Sequence, residues 1–199
     1  MKIRLPSLTL ALAAAAVAVH LLPGVADWLQ YDRAAIGRGE VWRFFTGHLA
    51  HFGANHLAWD AAAFLALGAA AERESPARCR NALLLAVVAI GPIVWLAQPQ
   101  FAFYRGLSGL ASALFGLLAG SLLTRRQRLP AIAGSLALAG FAAKCLFEIA
   151  TAQTVFATGT GYAPVPLAHL IGLGAGLVAA LRRDERDTPT LASQPPACA

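Results

Sequence analysis

Six apolar stretches follow one another along the chain, each close to the roughly 17–25 residues that cross a bilayer as a helix. They cover residues 8–26, 55–71, 81–97, 107–124, 130–152 and 164–181. In hydrocarbon every backbone N–H and C=O must be paired within the segment, so spans of this kind fold as helices. The composition agrees: 58% of the 199 residues are hydrophobic and 13% are charged, against roughly 25% charged in soluble domains. The expected fold class is all-α, a polytopic membrane protein with six transmembrane helices over residues 1–183. Polar residues at the start of the second stretch blur its boundary. Residues 184–199 are charged and then Pro/Ser/Thr-rich, too polar to build a core, and are expected to form a disordered cytoplasmic tail.

The basic residues alternate with the stretches. Lys2 and Arg4 precede the first. Arg73, Arg78 and Arg80 lie between the second and third, and Arg125, Arg126 and Arg128 between the fourth and fifth. Arg182, Arg183 and Arg186 follow the sixth. The opposite side holds only Arg33, Arg38, Arg43 and Arg105. The positive-inside rule then puts both termini in the cytoplasm. The net charge of +6 reads as this orientation signal and not as affinity for nucleic acid. Lys2, Arg4, the Ala-rich run and Gly24-Val25-Ala26 also resemble a secretory signal with its cleavage site, but the run exceeds the usual 7–15-residue core. A retained first helix is the expectation. Cys79, Cys145 and Cys198 show neither metal spacing nor obvious pairing.

With the amino terminus inside, helices two, four and six start at the outer face. His56 and Asp60 lie near the start of helix two, Ser108 opens helix four, and His169 is about one turn into helix six. Lys144 and Glu148 lie near the outer end of helix five. Polar and ionisable groups within a membrane are costly and mark function by default. Their common depth is explained by one water-accessible site opening outward. Small residues repeat every four positions on helix four (Ser108, Ser112, Gly116, Gly120) and on helix six (Ala168, Gly172, Gly176, Ala180). Such stripes let backbones approach closely. If the stripes face each other, Ser108 and His169 meet. A serine beside a histidine is a nucleophile beside its base.

Three motifs occur in order at matching places among the helices. Trp42-Arg43 opens a stretch running through His51-Phe52 to His56. Gly106-Leu107-Ser108-Gly109 precedes helix four. Ala168-His169 with Gly172 and Gly176 lies on helix six. Over roughly residues 40 to 180 the sequence resembles the rhomboid family of intramembrane serine proteases, and most closely its rhombosortase subgroup. The resemblance implies a rhomboid-like bundle in the bacterial inner (cytoplasmic) membrane, with the active site open to the periplasmic side. It implies a serine endopeptidase acting on the lipid-embedded carboxy-terminal sorting segment of exported proteins, a Gly-Gly motif followed by an apolar helix and a basic end. Transfer of the acyl group to an acceptor other than water stays open. No cofactor, metal or nucleic acid is expected.

In this reading Ser108 is the nucleophile, with backbone donors available at the helix start, and His169 is the general base and then acid. The plainer roles are a serine N-cap and a structural histidine. No acidic third member is evident near His169 in the sequence, so the expectation is a Ser–His dyad. His56 is read as an oxyanion donor, with Gly106 and Gly109 shaping the loop. The family's asparagine one turn after that histidine is Asp60 here, and the aromatic often found four residues after the nucleophile is Ser112. Asp60 shares a face with His56 and either favours its protonated form or is itself neutral and donates directly. Asn55 is an extra donor candidate. His48 and His51 are read as loop-structuring, since their spacing with His56 fits no metal motif. Lys144 and Glu148, at i,i+4, read either as a self-neutralising buried pair or as part of a gate. Trp28, Trp42 and Arg43 suggest interfacial anchoring. The loop at 151–165 suggests a cap over the site. His20 has no evident partner. Two alternatives remain: an inactive rhomboid-like module that binds or chaperones membrane proteins, although such relatives generally lose the nucleophile or base, and a small transporter, which would show a repeat or midplane charges.

Overall fold

The structure is a computed structural model that describes residues 5–156 and 163–182. The tail expected at 184–199 and the middle of the 151–165 loop lie outside the described residues. Helix α1 (Ser7–Leu21) leads into a structured first loop. This holds short helices α2 (Val25–Leu29), α3 (Arg33–Gly37) and α4 (Arg43–Thr46) and a 3-10 turn at Gly47–Leu49. Then come α5 (Ala54–Glu74), α6 (Pro76–Ala97), α7 (Ser108–Leu123), α8 (Arg128–Thr151) and α9 (Pro166–Leu181). Two-residue strands β1 (Tyr31–Asp32) and β2 (Phe103–Tyr104) pair antiparallel, Tyr31 opposite Tyr104. They tie the first loop to the segment just before Ser108.

Each expected stretch falls on a long helix, with one correction. The first stretch does not run to residue 26. It ends at Leu21, because Pro23 and a left-handed Gly24 (φ 76°) turn the chain into α2. By length and apolarity α6 and α8 are able to cross a bilayer, whereas α1, α7 and α9 are apolar but only 15, 16 and 16 residues long. At about 1.5 Å per residue, sixteen residues reach about 24 Å, short of the roughly 30 Å hydrocarbon thickness. The shortness of α7 goes with its position. It is the central helix, packed on α5, α6, α8 and α9, and most of Gly109–Ser121 is buried. The outer faces are apolar: Leu96 is 74%, Leu146 65% and Ile149 61% exposed. In water such a surface would aggregate; against lipid it is ordinary.

The two small-residue stripes do face each other. A Cβ built on Gly172 would collide with the carbonyl oxygen of Gly109, and one on Gly176 with that of Ala113. The two backbones therefore lie in direct contact. This closeness is the usual basis of helix association in lipid, where packing and not water exclusion drives assembly. At the opposite end of the bundle Glu72 of α5 caps α1. The Thr9 N–H and hydroxyl each donate to Glu72 Oε1 at 2.6 Å, satisfying donors that the first turn leaves free.

Gly176→Val would place carbons against the Ala113 carbonyl and, at Cβ, 2.6 Å from Leu117 N. Overpacking of this kind costs about 1–3 kcal/mol. The expected outcome is a lower thermal midpoint in detergent. Gly174→Ala, whose Cβ meets nothing within 4 Å, is expected to leave the midpoint unchanged.

Candidate active site

Ser108 is the first residue of α7, so its N–H has no acceptor inside the helix. It donates instead to Asp60 Oδ2 at 3.1 Å. Gly106 makes room for this approach. Its φ of 125° favours glycine, and a Cβ there would lie 2.7 Å from Asp60 Oδ2 and 2.9 Å from His56 Nε2. Gly109 is required by packing, since its Cβ would meet Ile90 at 2.8 Å and the Tyr104 hydroxyl at 2.9 Å.

The close approach of α7 and α9 brings His169 to Ser108. His169 Nε2 lies 3.1 Å from Ser108 Oγ. On the other side of the ring, His169 Nδ1 lies 3.1 Å from Glu148 Oε2 and 3.2 Å from Lys144 Nζ. Lys144 Nζ donates to the second oxygen of Glu148 at 2.7 Å. The Lys144–Glu148 pair thus forms as the i,i+4 spacing suggests. It is not self-contained, however, because the buried Glu148 also reaches the histidine. The acidic neighbour of His169 is not close to it in the sequence. It lies 21 residues away on a different helix, and only the rotation of α8 brings it in.

The other side of Ser108 is a cluster around Asp60. Its Oδ2 lies 3.2 Å from His56 Nε2 and 3.3 Å from His51 Nε2. A backbone N–H only donates, so towards Ser108 this oxygen is an acceptor. His51, read from the sequence as part of the loop, is buried in this cluster, with Nδ1 3.3 Å from the Leu49 carbonyl and the Leu107 N–H 3.4 Å from Nε2. Ser112, in place of an aromatic, donates to the Ser108 carbonyl at 2.8 Å. Asn55 is exposed on the first turn of α5, and His20 sits on the last turn of α1, away from the site.

A cavity of about 600 Å³ opens from these groups between α5 and α8. Trp59, Ala63 and Leu67 line one side, Leu136, Gly140 and Phe141 the other, and Phe115 of α7 the floor. Below Gly106, the first loop is held by Arg105, which bonds Asp27, Gln30 Oε1 at 2.8 Å and the His51 carbonyl at 3.3 Å. Arg43 is not an interfacial anchor. It is buried and donates to Glu40 at 2.7 Å and to the carbonyls of Asp27 and Gln30 at 2.9 and 3.1 Å. Trp28, Trp42, Phe45 and Phe52 are the exposed aromatics described in that loop, and the rings of Trp28 and Trp42 pack 5.9 Å apart.

Among the described residues, one group has metal-ligand reach: Cys145, Glu148 and His169 offer atoms within 4.8 Å of one another. The Lys144 ammonium already sits on two of the three, so a metal ion would have to displace a cation. The donor set fits an ion pair and not a metal site.

The Rhomboid domain family model matches residues 38–183, well over half of the chain. The chain belongs to the rhomboid family. No curated protein matches the sequence. Rhomboids are in general intramembrane serine proteases that act on transmembrane substrates, and the match spans every helix that lines the cavity of this rhomboid. With its apolar outer faces, the rhomboid is a membrane protein.

His48 of this rhomboid is buried in the first loop, its ring edge-on to Tyr104 at 5.6 Å. Burial pushes its pKa down from 6.5 to about 4. Below about pH 6.5 the unfolded chain takes up a proton that the folded loop refuses. Stability is therefore lost as the pH falls from 6.5 to about 4, by about 3 kcal/mol. Thermal midpoints at pH 7.5 and 4.5 are expected to differ more for the wild type than for His48→Gln.

Proposed function

We propose that the chain is a rhombosortase-like intramembrane serine endopeptidase that cuts exported proteins at a carboxy-terminal Gly-Gly transmembrane segment. The observation that carries the reading is the 3.1 Å contact between Ser108 Oγ and His169 Nε2 at the head of a cavity open between two helices. All six main helices cross the membrane, the short α7 and α9 beside the longer α5, α6 and α8, with both termini cytoplasmic and the site towards the periplasm.

The steps follow from the positions. A substrate segment enters between α5 and α8, the apolar walls of the cavity. Gly-Gly weakens its helix and lets the chain extend across Ser108. Ser108 Oγ attacks the scissile carbonyl while His169 Nε2 takes the hydroxyl proton. The oxyanion settles at the positive end of α7, on the Ser108 N–H, with His56 as the side-chain donor. His169 then protonates the leaving amine. Water, or an acceptor amine, opens the acyl-enzyme by the same path.

Asp60 has two parts in this scheme. At rest its carboxylate occupies the Ser108 N–H that the oxyanion needs, so substrate has to displace it. It also sits on His56 and His51, where it holds the His56 ring, the side-chain donor, in place beside Ser108. The same occupancy is the one observation that favours the second reading, an inactive module that binds membrane proteins.

The test is cleavage in membranes of a reporter with a Gly-Gly, apolar helix and basic tail. Cleavage is expected from the wild type and to fall to background in Ser108→Ala and His169→Ala. Cleavage that persists in both variants refutes the protease reading. No cleavage by the wild type, with retained binding of the reporter, selects the inactive module. Asp60→Asn is expected to lose about tenfold, or about 1.4 kcal/mol of transition-state stabilisation; full activity would contradict a role for the carboxylate.

A further inference from the structure

His169 Nδ1 has two neighbours that make opposite demands on it. Glu148 Oε2 is 3.1 Å away and Lys144 Nζ 3.2 Å, so distance does not choose between them. Chemistry does. A carboxylate accepts and an ammonium only donates. If Nδ1 accepts from Lys144, the neutral ring carries its proton on Nε2 and cannot take one from Ser108. If Nδ1–H donates to Glu148, the Nε2 lone pair faces Ser108 Oγ across 3.1 Å. Glu148 is 3% exposed and Lys144 is already bound to its other oxygen at 2.7 Å. The ammonium is thereby drawn onto the carboxylate.

We propose that Glu148 is a positioning residue for His169. It accepts the Nδ1–H, holds Lys144 on its second oxygen, and so keeps the ring in the tautomer whose Nε2 acts as base. The inference rests on the protease reading above. It makes this site a serine–histidine–glutamate arrangement in which the acid comes from the cavity-lining helix α8.

The charges support it independently. Lys144 and Glu148 cancel as a pair. When His169 takes the Ser108 proton it gains a positive charge, which Glu148 offsets and Lys144 alone would oppose. The other titratable groups around the ring do not replace Glu148. Cys145 is the remaining one on α8, and Asp60 and His56 on α5 lie across Ser108. On α6, also packed against α9, Arg78, Cys79 and Arg80 fall in the first two turns, where Arg78 lies beside Ser121 at the far end of α7.

Removing the acid therefore does more harm than removing the whole pair, because it leaves Lys144 facing Nδ1 alone. In membranes containing the full chain, Glu148→Ala is expected to lower kcat for the Gly-Gly reporter by about 10²–10⁴-fold, with KM within about threefold. Glu148→Gln, which keeps an acceptor oxygen, is expected to lose less. The double variant Lys144→Met/Glu148→Ala is expected to recover at least about tenfold over Glu148→Ala, a non-additivity that mere loss of packing does not produce. Wild-type kcat in Glu148→Ala would overturn the proposal, as would a double variant no better than the single. If Glu148→Ala does not fold, Glu148→Leu and Lys144→Met/Glu148→Leu, which fill the space without an acceptor oxygen, are compared in the same way. Ser108→Ala is run alongside: cleavage there removes the protease reading itself, whereas an inactive Ser108→Ala with a fully active Glu148→Ala removes only the role of Glu148.

Discussion

Everything at the site depends on how closely two backbones approach. Helices α7 and α9 meet through glycines, with carbonyl oxygens of one helix where side chains of the other would stand. No larger residue permits this. The consequence is positional: Ser108 at the first turn of one helix and His169 at the first turn of the other come within hydrogen-bond distance. Because α7 is the buried centre of the bundle, the helices around it can each contribute a group to its amino-terminal end.

Two carboxylates exploit that position from opposite sides. Asp60 on α5 meets the positive end of α7 and two histidines; Glu148 on α8 meets His169 and Lys144. Each lies in a largely apolar surrounding where an unpaired charge would be costly, and each is paired. The result is a site with a histidine and an acid on the α9 side of Ser108, and two histidines and an acid on its α5 side. Among the described residues, Ser108 joins the two sides.

The apolar rhythm of the chain made the long helices legible, and the paired stripes of small residues made the meeting of α7 and α9 legible, because lipid leaves packing as the main discriminator between helix faces. Ser108, His169, His56 and Asp60 were visible as polar groups at one depth. What escaped depends on rotation and burial, which a linear pattern does not carry. Glu148 pairs with Lys144 by spacing, yet its second contact needs α8 turned towards α9. His51 looked like a loop residue because the loop folds back beneath Ser108. Arg43 looked interfacial beside two tryptophans, but its guanidinium is spent on loop carbonyls. The break after Leu21 was masked by an apolar run that continues past Pro23 and Gly24.

In the proposed protease, Ser108 is an activated nucleophile because His169 stands against it. A fluorophosphonate tests this without knowledge of the substrate, with the modified residue located by mass spectrometry on protein in native membranes. One covalent adduct, on Ser108, is expected in the wild type and none in His169→Ala. An unmodified Ser108 in the folded wild type, or equal labelling when His169 is absent, would contradict it.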